Sequence, residues 1–504
     1  MRKILMAASE AGPYAKTGGL ADVLGSLPVA LQKEGTDTRV IMPKYGTIAS
    51  ELKEKMVHLC YFYVNIGWRS QYCGIEMAEE GGITYYFIDN EYYFNREGYY
   101  GYQDDGERFA FFCRSVLDAL PHIDFVPDIL HCHDWQTGMI PPLLEAQYRS
   151  LPLYREIATV FTIHNLRYQG IYGVSDMKDW FGLGDEYFTS DKLEFYGGAS
   201  FLKGGLTYSQ ILTTVSETYS EEVKYPFFGE QLDGLLKARE KDLYGILNGI
   251  DYDEYNPKND PYLYYNFTKS NLNGKSANKK ALQQELNLMV DESLPMIGFI
   301  SRLVDQKGLD LIACVLDEIL AEQVQLVFLG AGSENYENML RDAMYRYPGK
   351  VSATIRFDNA LAHKIYASSD FFLMPSLFEP CGLGQLISLR YGTLPIVRET
   401  GGLKDTILSY NEETGEGNGF SFTNYNAHDM LFTIKRALKL YSKKTLRAKL
   451  RKSAMSCDYS WRSSAKKYIK LYEKLIIRNK SERAEFSYEE RSNPAVISLI
   501  PAIE

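Results

Sequence analysis

Phe371-Phe372-Leu373-Met374-Pro375-Ser376-Leu377-Phe378-Glu379-Pro380-Cys381-Gly382-Leu383-Gly384-Gln385-Leu386-Ile387-Ser388-Leu389 decides how this chain is read. The apolar run at 371–376 has the length and composition of a buried strand, and the segment after Gly384 reads as a helix. Between them sit an acidic side chain and two glycines, where backbone N–H groups at a helix N-terminus can face an anion. A carboxylate beside an anion cradle suits a sugar phosphate. Sugar hydroxyls donate to carboxylates, while phosphate accepts from amides.

The same strand–loop–helix alternation extends outward in both directions. In the second half, strands are expected at 296–300, 325–329, 371–374 and 394–397, with helices at 309–321, 334–346, 385–391 and 430–441. In the first half, strands are expected at 3–8, 38–42, 61–66, 83–88, 128–131, 159–163 and 211–215. Helices are expected there at 20–33, 108–120, 136–147 and 200–208. Strands alternating with helices predict a parallel sheet covered on both faces. A turn-rich stretch from 252 to about 275, with Pro257, Pro261 and several Asn, reads as an interdomain connection. The fold class is therefore α/β, two doubly wound Rossmann-like domains facing a central cleft. The expected domains are 1–248, joined by a C-terminal helix at 458–477, and 249–457, followed by a charged tail at 478–504 expected to lack fixed structure. Ligands of such sheets bind at the carboxyl ends of the strands.

Composition narrows the partners. A chain of 504 residues exceeds what one core usually supports, and 45% apolar residues suffice for two. The net charge of −10 argues against nucleic acid and against anionic membrane surfaces. Seven cysteines without a C-x-x-C pair fit buried free thiols in a reducing compartment. The basic start Met1-Arg2-Lys3 leads into an apolar stretch that meets Glu10 too soon for a signal peptide, and no run reaches transmembrane length. A cytoplasmic protein is expected.

Several strand ends carry chemistry. Lys16-Thr17-Gly18-Gly19-Leu20-Ala21-Asp22-Val23 follows the first strand and opens a helix, so the glycines allow close backbone approach and Lys16 adds a mobile charge. It lacks the G-x-G-x-x-G spacing of a dinucleotide fingerprint and the G-K-[ST] ending of a P-loop, and a plain glycine turn with an exposed lysine would look the same. Ser301-Arg302-Leu303-Val304-Asp305-Gln306-Lys307-Gly308 places a guanidinium fork and a second cation after a strand, which suits a diphosphate leaving group or a solvated helix start. Gly330-Ala331-Gly332-Ser333 repeats the strand–glycine–helix pattern. His131 and His133 share a strand face, but no further ligands with zinc spacing lie nearby, so hydrogen-bonded core or cleft histidines are the default. His164, in Phe161-Thr162-Ile163-His164-Asn165-Leu166, again falls at a strand end.

In their order along the chain, these motifs resemble bacterial glycogen synthases and the related starch synthases, glycosyltransferase family 5 with the GT-B architecture. The resemblance covers 3 to about 472 and rests on 16–23, His133-Asp134-Trp135, Thr162-Ile163-His164-Asn165, Leu247-Asn248-Gly249-Ile250-Asp251, 301–308, 378–383 and Tyr391-Gly392-Thr393-Leu394-Pro395. It implies retaining transfer of glucose from a nucleotide donor, usually ADP-glucose, to the non-reducing end of an α-1,4-glucan such as glycogen or a maltooligosaccharide. The first domain would bind the acceptor and the second the nucleotide sugar. By resemblance Lys16, Arg302 and Lys307 lie on the diphosphate with the Gly382 and Leu383 amides, Glu379 beside the transferred glucose, and His164 near the reacting carbon. Gly18, Gly19, Asp22, Asp134, Asn165, Asn248, Gly330 and Cys381 fall in the matching motifs as substrate-binding positions. No metal and no cofactor is implied; the cations stabilise the departing ADP. Where the family often sets a Tyr against the adenine, this chain offers Phe357, and the tail runs past the usual end. A dehydrogenase would want the absent G-x-G-x-x-G, a phosphorylase a lysine-bound pyridoxal phosphate, and a glucan-binding scaffold would not need Lys16, Arg302, Lys307 and Glu379 together.

Overall fold

The computed structural model describes residues 1–492, with side chains as far as 479. The first unit is built on β1 (Arg2–Ala7), α1 (Gly19–Lys33), β2 (Thr36–Pro43), β3 (Val57–Ile66), β4 (Arg69–Glu80), β5 (Ile83–Asp89), α2 (Asp105–Ala119), β6 (Ile129–His133) and β7 (Ala158–Ile163). It continues with β8 (Ile171–Tyr172), β9 (Glu194–Phe195), β10 (Gly198–Ser200), α3 (Phe201–Tyr208), β11 (Ile211–Thr214) and β12 (Leu243–Gly245). Nine strands form one sheet in the order β12-β11-β7-β6-β1-β2-β5-β4-β3, and β8 to β10 form a small separate one. β1 pairs in parallel with both β2 and β6, so the strand order reverses at β1. The loops after β1 and β6 leave in opposite directions there, which opens a crevice at the carboxyl ends. β6 and β7 are buried along their whole length, hence their unbroken apolar reading.

The far edge departs from the expected parallel sheet. β4 pairs antiparallel with both β3 and β5. The turn between Ile66 and Arg69 has two residues, and Gly67 takes a φ of 58°, which a residue without Cβ adopts freely in a tight hairpin. The helix expected at 136–147 is broken into Trp135–Thr137, Ile140–Leu143 and Leu144–Tyr148. Gly138 packs on Phe201 O, where any Cβ would sit 2.1 Å away, and Pro141-Pro142 lacks amide donors.

The second unit holds α4 (Asn273–Glu285), β13 (Met296–Ile300), β14 (Gln325–Leu329), α5 (Glu334–Arg346), β15 (Val351–Thr354), α6 (Asn359–Ser368), β16 (Phe371–Met374), α7 (Gly384–Arg390), β17 (Leu394–Arg398), α8 (Gly401–Thr406), β18 (Phe420–Phe422), α9 (Ala427–Tyr441) and α10 (Lys444–Ala454). Its strands run all parallel in the order β15-β14-β13-β16-β17-β18. That is the 3-2-1-4-5-6 order of a doubly wound fold, with its switch between β13 and β16. The loops after these two strands carry Arg302, Lys307 and Glu379.

The second core contains a buried ion cluster. Asp370, just before β16, accepts from Lys279 Nζ at 2.7 Å, from Arg451 at 2.5 Å and from the Met296 amide at 2.9 Å. Burial alone would raise the Asp370 carboxyl, yet Lys279 and Arg451 hold it below the usual carboxylate range. Asp370→Ala would strand two buried cations. The expected loss is about 3–5 kcal/mol in denaturant unfolding, and a loss near zero would refute the cluster's role.

The chain divides into compact units of Met1–Thr213, Gly229–Ile246 and the chain from Ser464, against Thr214–Phe228 and Leu247–Ser463. Segment 214–228, read as part of the first domain, thus belongs with the second. The reason is hydrogen bonding: Ser216 Oγ donates to Pro380 O, the Thr218 amide and hydroxyl donate to Asp405, and Glu222 accepts from the Gly401 amide and the Thr400 hydroxyl. The last helix, α11 (Trp461–Ser492), continues past 477, so the tail expected to be unstructured from 478 begins as helix. Arg478 donates to Asp242 and to Gln210 O, and Asn479 is buried, which fixes the helix there. Residues 493–504 of that tail lie outside the described residues.

Candidate functional site

In the first unit the loop after β1 hangs on one carboxylate. Glu10, buried, accepts from the Thr17 amide at 2.5 Å, the Thr17 hydroxyl at 2.7 Å and the Tyr100 hydroxyl at 2.6 Å, and Ser9 Oγ also meets that hydroxyl at 2.8 Å. This fixes the turn that presents Lys16, Gly18 and Gly19. A Cβ added to Gly18 or Gly19 would meet no atom within 4 Å, so packing within the chain does not demand glycine at either place. Open backbone beside a cation suits close approach by an anion. Lys16 Nζ donates to Asp22 Oδ1 at 2.5 Å, so its charge is partnered.

Asp134 and His164 follow β6 and β7. Asp134 holds a φ of 58°, uncommon for a residue with a side chain, and its backbone is pinned by Thr162 O and by Thr137. Its Oδ1 accepts the His164 amide at 2.8 Å. Burial pushes the Asp134 carboxyl up to about 7, against the pull of the His164 and Asn165 amides. His164 Nε2 lies 3.0 Å from His133 Nδ1. His131 bonds Tyr472 at 2.8 Å and Thr162 at 2.6 Å, so hydrogen bonds occupy both its nitrogens. Burial lowers His131 and His164 to about 3, and both rings are neutral at neutral pH. Asn165 turns its own loop, Oδ1 accepting the Arg167 amide at 3.1 Å.

In the second unit the loops after β13 and β16 meet. Lys307 Nζ donates to Glu379 Oε2 at 2.7 Å, and Ser376 Oγ donates to the same oxygen at 3.0 Å. Gly308 must be glycine: its φ is 73° and a Cβ would lie 2.1 Å from Pro375 O. The Glu379–Cys381 turn sits on the start of α8, where a Cβ on Gly401 or Gly402 would fall 2.0 or 2.1 Å from Glu379 O or Cys381 O. Gly382 has a φ of 74° and leads through Leu383 into α7. Asn248 is buried with its Oδ1 unbonded among the described residues, and its amide donates to Cys381, whose thiol burial pushes up to about 12. Arg302 is exposed, and among the described residues it has no ion-pair partner. Gly330 differs from Gly18: a Cβ there would lie 1.8 Å from Ser301 O, so it serves the packing of two loops. Phe357, after β15, is 84% exposed, a bare ring.

Sequence reading missed Glu10, Tyr100 and Ser376. Glu10 was visible only as the acid that ends an apolar stretch, and its position directly after β1 was the available signal. Tyr100 and Ser376 carried none.

Residues 3–238 match the starch synthase catalytic domain family, and residues 283–456 match the glycosyl transferases group 1 family. A glycogen synthase of Desulforamulus reducens is 57% identical over 474 residues, 94% of this chain and 99% of that protein. The chain belongs to the glycogen and starch synthase family. A glycogen synthase of Geobacillus stearothermophilus is 54% identical, again over 94% of this chain and 98% of that protein. The catalytic domain of starch synthase IV from Arabidopsis thaliana, bound to ADP and acarbose, superposes with a TM-score of 0.89 at 35% identity, covering 94% of this chain and 99% of that one. Sucrose-phosphate synthase from Thermosynechococcus elongatus, at 15% identity and a TM-score of 0.61, shares the fold alone. Both units are therefore the Rossmann-like domains of a GT-B glycosyltransferase. Among the described residues no helix is long and apolar enough to cross a membrane.

Proposed function

We propose that this glycosyltransferase elongates glycogen or a maltooligosaccharide by moving glucose from ADP-glucose to the non-reducing end, with retention at the anomeric carbon. The observation that carries this reading is the Glu379–Lys307 pair at the switch point of the second sheet, beside Arg302, which has no ion-pair partner among the described residues. In that unit Arg302, Lys307 and the Gly382 and Leu383 amides take the diphosphate, Phe357 offers its exposed face to the adenine, and Glu379 faces the sugar hydroxyls. Asn248 Oδ1 and Cys381 line this place, and Gly330 shapes the loop beside it. In the first unit Lys16 and the open amides of Gly18 and Gly19 donate to phosphate oxygens, with Asp22 holding the lysine. His164, Asn165 and Asp134 lie on the acceptor-binding side, His164 nearest the reacting carbon. Charge that develops on departing ADP meets fixed cations, which lowers the barrier without a metal or cofactor. The working compartment is the cytoplasm.

The test supplies ADP-glucose and UDP-glucose separately with glycogen and follows nucleotide release. ADP-glucose should be used clearly better. Equal or reversed rates overturn the donor assignment, and no release from either overturns the function.

A further inference from the structure

His133 is a buried imidazole that the reading above leaves without a task. Its Nδ1 meets His164 Nε2 at 3.0 Å, and its ring packs on His131 with centroids 4.1 Å apart. His131 is itself held at both nitrogens by Tyr472 and Thr162, so the stack has little freedom to turn. His133 Nε2 is buried and makes no hydrogen bond among the described residues.

Two neutral imidazoles sharing one hydrogen bond leave two arrangements. In one, His164 Nε2–H donates to His133 Nδ1, which forces the His133 proton onto Nε2 and buries an N–H with nothing to receive it. In the other, His133 Nδ1–H donates to His164 Nε2, and the unbonded His133 Nε2 is a bare lone pair. Buried N–H groups without an acceptor are the rarer fault in folded proteins. The second arrangement also fixes the partner ring. With Nε2 accepting, neutral His164 must carry its own proton on Nδ1.

We propose that His133 is a positioning residue that sets His164 in the Nδ1–H form, so that His164 meets a hydroxyl of the transferred sugar as a hydrogen-bond donor and not as a base. The sugar-hydroxyl half of this statement rests on the function proposed above; the tautomer does not. His164 is part-exposed at the end of β7, whereas His133 and His131 are fully buried behind it. The fixed proton makes the interaction directional: the Nδ1–H donates to an oxygen lone pair and the nitrogen cannot take up an incoming proton. Depressed basicity of the ring supports the same role, since burial lowers His164 to about 3.

The experiment has two arms on the full chain. In the first, histidine is labelled with nitrogen-15 and proton–nitrogen correlation spectra are assigned through loss of the His164 signals in His164→Asn. A protonated Nδ1 and a bare Nε2 on His164 are expected, and the reverse pattern overturns the proposal whatever the enzyme's substrate. In the second, His133→Asn keeps an amide donor close to the Nδ1 position, while His133→Leu keeps volume and removes the donor. His133→Asn should keep kcat within a few-fold, and His133→Leu should lower it about 5–30-fold, the loss expected for one neutral hydrogen bond. Equal kcat losses in both variants, tracking equal losses of thermal stability, would leave His133 a packing residue and overturn its positioning role. Failure of the wild type to turn over either nucleotide sugar would overturn the proposed function while the spectra still decide the tautomer.

Discussion

Glu379→Gln is expected to lower turnover by about 10²-fold or more while ADP binding stays near normal. The substitution keeps size and one acceptor oxygen and removes the negative charge. Beside the transferred glucose that charge would favour the positive character growing at the anomeric carbon, an interaction strengthened only as the bond breaks. A second role is available from the geometry. Glu379 Oε2 gathers Lys307 from the loop after β13 and Ser376 from the loop after β16, so the carboxylate could serve as a brace between loops. Glutamine can still accept from both, at lower strength, and a brace alone would lose only about 1–3 kcal/mol of stability. Turnover and melting temperature measured together separate the two. A variant that melts several degrees lower yet retains near-normal specific activity would make Glu379 a brace and remove it from catalysis.

The parallel halves of both sheets were legible because strands buried on two faces are written in continuous apolar residues: Phe371–Met374, Met296–Ile300 and Gln325–Leu329 were read to the residue or nearly so. β4 was not legible. Arg69–Glu80 carries glycine and several glutamates one strand in from the sheet edge, where pairing with β3 and β5 and not composition makes the strand. α4 was not expected: the turn-rich reading ran to about 275 and left 276–285 unassigned, because Asn273, Gly274 and Asn278 are poor helix formers. Tertiary contacts hold it in place: buried Lys275 and Lys279 donate to Thr393 and a backbone carbonyl, and to Asp370. Motifs at strand ends singled out the candidate site residues one by one. What they could not give is which residues hold them: Glu10 reaches Tyr100 across 90 positions of sequence, and only folding reveals the contact.

Pairing of the expected phosphate cations was equally invisible. Of Lys16, Arg302 and Lys307, two carry carboxylate partners in this structure, Asp22 and Glu379. Such partners keep a lysine oriented without a ligand, and they also set the exchange a diphosphate must win. A diphosphate carries more charge than one carboxylate, and in the function proposed here it would also meet the open amides at Gly18 and Gly19, so the lysine would gain by moving to it.

Lys16→Ala should therefore reduce kcat by about 10²–10³-fold, as removal of one preorganised charge from a developing anion typically does. The site makes this variant unusually clean. Lys16 is half exposed and, among the described residues, its only ion-pair partner is Asp22, itself part-exposed, so the lost ion pair is a surface one worth about 0–1 kcal/mol. Thermal stability should hardly change, and the rate loss cannot be charged to unfolding. Asp22→Asn supplies the control, since it removes the partner and leaves the ammonium free to meet phosphate. Its kcat should fall far less than that of Lys16→Ala if the lysine acts on ADP. Should Lys16→Ala keep kcat within a few-fold of the parent at saturating ADP-glucose and acceptor, the glycine loop after β1 is an ordinary turn with an exposed lysine, and the diphosphate role assigned to it fails.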